Sequence, residues 1–331
     1  MPIGARTRSA TELPRLGRQS GSEVKEVVSQ RAGVLPLMCN GVSHVGPSRT
    51  LGEGAGAAQY TSDMLLDDET TWPREVVRFI EENRALFDDW HRPASEARER
   101  DRKPGDHSSG PRFPWQQHDH AVGRLGALLK PHTLEPGYHC TRLTDPELEA
   151  IRTGGMRLQN AKLLADRIRV LEQEGVIDAE AAVALIGDNQ ADAANRAGML
   201  WFCFFPPHLA GESGIEIFLR YWGGEALSRS HYQDSVRGPL LRPIGRPCLV
   251  VADVPIAGLS EVFGLSVKLI RRYFLNRGGR IAEEIDHEGF ATTALPASSI
   301  RRIVCFPEPE FVDLTKCGTW RRPLAPDIET S

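Results

Sequence analysis

The sequence predicts an α+β fold, with helices early and a cluster of short strands late. Two observations carry this. Apolar residues recur at helical spacing through about residue 187, and beyond 198 short β-branched and aromatic runs are punctuated by Gly and Pro. A third observation excludes other layouts: there is no G-x-G-x-x-G and no P-loop, and strands do not alternate with helices as a doubly wound sheet requires.

Taken in order, residues 1–58 have no sustained period and are rich in Gly, Ser, Arg and Pro. The first 50 carry seven Lys/Arg against three Asp/Glu. Such a stretch reads as a disordered tail. A transit peptide is the other reading, and Glu12, Glu23 and Glu26 count against it. Residues 59–129 read as a helical region with a charged linker. Residues 71–90 predict one helix with Val76, Val77, Ile80, Leu86 and Phe87 as its apolar stripe, 93–114 a Pro/Gly-rich linker, and 116–129 a second helix. His118 and His120 in that helix are spaced as a possible metal pair. No further ligand follows nearby, so both are expected to face solvent.

The main domain is expected at 130–315, with 316–331 as a C-terminal tail. Helices are predicted at 160–174 (Leu163, Leu164, Ile168, Leu171) and from the acidic cap Asp178 onward. "LSVKLIRRYFLNRGG" reads as a helix ending at Gly278. Strands are predicted at 198–205, 214–222, 247–254, 289–295 and 300–306.

Composition bounds the function. A net charge of −4 and a pI near 6.2 argue against a dominant nucleic-acid-binding role. No apolar run reaches the ~18 residues of a membrane span. The six cysteines form no C-x-x-C and several lie in strand-like runs, so they are expected to be reduced and buried, in an intracellular, cytoplasmic protein.

Three features could carry chemistry. In "EPGYHCTRLTDPELEAIRTGGMRL", His139 and Thr141 lie on one face of a short strand, just before a helix opened by Thr144, Pro146 and Glu147 and closed by Gly154-Gly155. Such a pair can grip a ribose or phosphate, or His139 can be a packed core residue. "LWFCFF" is followed by Tyr221 and Trp222 running into Gly223-Gly224, a face on which a flat ring could stack or an ordinary aromatic core. Glu283, Glu284, Asp286 and Glu288 crowd the start of a late strand, where a carboxylate can stabilise an oxocarbenium ion or form a solvated acidic turn.

Together, "YHCT" (138–141), "GMLWF" (198–202), "FLRYWGGEAL" (218–227) and "HEGFATTALPASSIRRIVCF" (287–306) resemble, in that order, the ADP-ribosyltransferase fold of the diphtheria-toxin and poly(ADP-ribose) polymerase branch. The resemblance covers about 130–315, in pattern rather than identity. It implies a split β-sheet core, NAD as substrate, and ADP-ribosyl transfer to a protein, nucleic-acid or water acceptor, as in a toxin or defence effector. By the same resemblance His139 and Thr141 would hold the nicotinamide ribose, Trp201 and Tyr221 would flank the nicotinamide, and Glu288 would be the catalytic glutamate, with Glu284 as its competitor. No metal is implied. Cys140 stands where the family has glycine, which leaves open a non-catalytic nucleotide- or protein-binding module on the same fold. An unrelated α+β protein with a structural His139 is the third possibility.

Overall fold

The computed structural model describes residues 63–91, 115–260, 262–279 and 287–324. The expected tail at 1–58, the linker at 93–114 and the acidic residues Glu283, Glu284 and Asp286 lie outside them.

The centre of the fold is β2 (Thr133–Leu143), which pairs antiparallel along its length with β4 (Arg246–Pro255). β3 (Leu200–Cys203) joins β2 on the other side, and β5 (Glu288–Ala291) joins β3. β6 (Ile300–Cys305) closes the far edge against β4, giving the order β5-β3-β2-β4-β6. A short β1 (Asp63–Leu65) runs parallel to the start of β2. The architecture is α+β, as the sequence predicts, with an open and mainly antiparallel sheet.

One face of the sheet buries Leu134, Phe202, Phe204, Val250 and Val254 under α1 (Arg74–Glu82), α3 (Trp115–Leu129) and α10 (Val262–Asn276). Residues before and after 130 therefore share one core. The opposite face buries Tyr138, Cys203, Leu249 and Val251 under α7 (Glu212–Arg220) and α11 (Pro309–Thr315). A third cluster, built from α5 (Ala161–Gln173), α6 (Ala179–Gly187) and α8 (Gly224–His231), closes around Trp222. The short α9 (Arg237–Leu240) leads back to β4.

Local chemistry explains the ends of these elements. α4 (Asp145–Gly154) starts where the Glu147 carboxylate accepts the Thr144 N–H at 2.8 Å. It ends at Gly155, whose φ of +79° and closeness to the Leu295 carbonyl leave no room for a Cβ. Asn160 and Asp178 cap α5 and α6 by accepting the N–H groups of Leu163 and Ala181.

Three sequence expectations need correction. The single helix at 71–90 is two helices, α1 and α2 (Arg84–His91), which part at Asn83, whose side chain donates to the Phe79 carbonyl at 2.8 Å beside its own N–H at 3.2 Å. The strand expected at 214–222 is helix α7. Ile215, Phe218 and Leu219 fit a helical stripe as well as a strand, and Glu216 pairs with Arg220 one turn on. His118 does not face solvent: it is buried, edge-on to Phe87 at 6.1 Å.

Of the cysteines, Cys203, Cys248, Cys305 and Cys317 are buried and Cys140 is half-buried. Among the described residues no helix is long and apolar enough to cross a membrane.

Candidate functional site

The strands that carry His139, Trp201 and Glu288 are neighbours, in the order β2-β3-β5. Register decides which side chains meet. Tyr138 stands opposite Cys203, and Cys203 opposite Glu288, so these three share a face. Trp201 pairs with Phe290 and lies on that face too. His139 points to the other face, where its ring meets Phe202 at 5.8 Å. Thr141, two residues on, lies on His139's face and is half-buried. The structure thus brings Trp201 together with Glu288 and His139 together with Thr141, with the sheet between the two pairs.

On the Glu288 face, Trp201 and Phe290 form a tilted aromatic pair with centroids 4.7 Å apart. Trp201 stays 39% exposed. Its indole N–H donates to the Asn195 carbonyl at 3.3 Å, which ties the ring to the segment before β3. Glu288 is the exposed first residue of β5. Cys140 lies on this face as well. The Cys203 thiol, burial and the Glu288 carboxylate together push its thiol well up, so it is protonated at neutral pH. An aromatic pair with one exposed ring beside a carboxylate can stack a flat ring and place a negative charge near it. The acidic cluster at a strand start and the family resemblance pointed to Glu288; Phe290 gave no signal in the sequence beyond a strand aromatic.

His139 is held from behind. Its Nδ1 lies 2.8 Å from the Trp201 carbonyl. A carbonyl only accepts, so Nδ1 carries the proton and Nε2 is the free acceptor. Burial lowers the His139 pKa against the pull of that carbonyl, and nearby Arg167 lowers it further, so the ring is neutral. The histidine therefore fixes the backbone on which Trp201 stands.

Tyr221 sits elsewhere, at the C-terminal end of α7 against the third cluster. The Arg242 guanidinium lies 5.5 Å over its ring and 3.3 Å from its hydroxyl. Its neighbour Trp222 is buried and donates its indole N–H to Glu147 at 3.1 Å. Glu147 also takes Arg167 Nε at 2.6 Å, and that guanidinium lies 4.7 Å over the Trp222 ring. Burial raises the Glu147 pKa, but Arg167, the Thr144 N–H and Trp222 outweigh it and hold the carboxyl below the usual range. The sequence marked Glu147 only as a helix cap; its links to Arg167 and Trp222, 20 and 75 residues away, needed the fold.

Arg142 is a second residue without a sequence signal. Buried on β2, it donates to the carbonyls of Ile244, Leu219 and Gly245 at 3.0, 3.0 and 2.7 Å. It ties β2 to α7 and to the turn before β4. Among the described residues no group of three or more His, Cys, Asp or Glu side chains could hold a metal ion. Comparison with protein-family models, curated proteins and solved structures finds no match for this chain.

Proposed function

We propose that the chain binds NAD on the Glu288 face of the sheet and breaks its bond to nicotinamide, transferring ADP-ribose to an acceptor or to water. One observation carries the reading: the pair of exposed Trp201 and half-buried Phe290 stands on β3 and β5, on the same sheet face as Glu288 and two residues from it along β5. The aromatic pair supplies a stacking surface for the nicotinamide ring. As nicotinamide leaves, positive charge develops at the ribose C1′, and the Glu288 carboxylate stabilises it. His139 acts as a positioning residue through the Trp201 carbonyl, where the family resemblance would have it touch the ribose. Tyr221 has no contact in this scheme. Glu284, the competing carboxylate, lies outside the described residues.

Calorimetric titration with NAD tests the reading. Wild type is expected to bind. Trp201→Ala should lose about tenfold in affinity, the worth of one aromatic stacking contact, and Tyr221→Phe should bind as wild type does. Equal affinity in Trp201→Ala would remove the stacking surface from the scheme.

A second reading is favoured by the placement of His139 and Glu288 on opposite faces. In it the same surface binds a nucleotide without turnover. It expects NAD binding with no nicotinamide released.

A further inference from the structure

Two cysteines outside the candidate site face each other across the sheet. Cys248 on β4 and Cys305 on the edge strand β6 are direct antiparallel partners. Both are buried in the first core cluster, with their sulfurs 2.7 Å apart. Neighbouring bonds define the pair type. The Phe306 N–H donates to the Pro247 carbonyl at 2.9 Å, and the Cys305 N–H turns to the Glu308 carboxylate at 2.9 Å. Cys248 and Cys305 are therefore a non-hydrogen-bonded pair, the type with Cα atoms about 4.5 Å apart and side chains closest. That spacing lies inside the ~4.4–6.8 Å range a disulfide requires. Cys140 and Cys203 differ: Cys203 is in register with Tyr138, and its thiol donates to the Tyr138 carbonyl at 3.4 Å.

We propose that Cys248 and Cys305 are a redox pair that a peroxide closes into a cross-strand disulfide, bolting edge strand β6 to the centre of the sheet. Cys305 makes the first attack. The Cys248 S–H donated to its sulfur holds the Cys305 thiol below the ordinary range; burial opposes this, and Arg246 and Arg152 support it. The Cys305 thiolate forms an S–O bond as the peroxide O–O bond breaks and hydroxide leaves. Cys248 sulfur then attacks the Cys305 sulfur, the S–O bond breaks, and the Cys248 proton leaves with that oxygen as water. Two electrons pass from the two thiols to the peroxide. The bond joins positions 57 residues apart, so it constrains the unfolded chain more than the native sheet.

The test treats the full native chain with hydrogen peroxide, blocks remaining thiols with iodoacetamide, and maps a non-reducing digest by mass spectrometry. The expected product is one peptide pair joined through Cys248 and Cys305, reversed by dithiothreitol, with Tm several degrees above the reduced protein. Cys305→Ala should abolish both effects, and Cys140→Ala should leave both. Cys248→Val serves the same purpose where Cys305→Ala does not fold. Full alkylation of Cys248 and Cys305 after peroxide, or a cross-link through Cys140 or Cys203 instead, would overturn the proposal.

Discussion

Two side chains show how single residues hold this sheet. Glu147 serves the cap of α4, the Arg167 guanidinium and the Trp222 indole at once. Glu147→Gln keeps the shape but removes the charge, leaving Arg167 half-buried without its carboxylate. A loss of about 2–3 kcal/mol is expected in denaturant unfolding. His139 bears on pH. Its folded pKa is depressed, chiefly by burial, below the ~6.5 of the unfolded chain. Below that value the unfolded chain binds the proton that the folded chain refuses. Stability is therefore unaffected above pH ~6.5 and falls as pH drops through and below it. His139→Gln should flatten this part of the Tm-versus-pH curve, and an unchanged slope would place the titration elsewhere. Of these roles only the Glu147 cap was legible in the sequence. A cap is a local pattern over four positions, whereas the partners of Glu147 and His139 lie 20 to 75 positions away.

At the scale of elements, what was legible follows from period and punctuation. β4 carries the apolar run 247–252, β6 ends in the apolar run 303–305 just before Pro307, and α5 and α6 carry explicit caps, so sequence expectation and structure agree within a few residues. α7 was misread because "IEIFL" alternates like a strand while Ile215 and Leu219 also lie one helical turn apart, and burial under the sheet settles such ties. That misreading matters for the site. The resemblance expected a tyrosine after a strand, and Tyr221 instead follows a helix and packs against the third cluster. The break between α4 and the next segment is set by backbone geometry. Gly155→Ala should cost more than about 2 kcal/mol, because the left-handed φ and the Leu295 carbonyl both exclude a methyl group. Gly175→Ala, at a similar φ but with open space, should cost less, and equal losses in the two variants would contradict the role of the Leu295 contact.

At the scale of the whole molecule, the neighbour order of β2, β3 and β5 is what gathers residues 139, 201 and 288, and no local pattern states such an order. The sequence offered the three strands singly; the pairing register supplied the faces, and it divided the expected residues between them. The resulting claim is a carboxylate and the Trp201–Phe290 pair acting on one NAD molecule. Its most direct test is release of nicotinamide from NAD by the purified chain, measured beside Glu288→Gln. Release by wild type that falls at least about a hundredfold in the variant is the expected result, since a carboxylate that stabilises transition-state charge contributes on that order. No release from a wild-type chain that binds NAD, or release that persists in Glu288→Gln, would contradict the account.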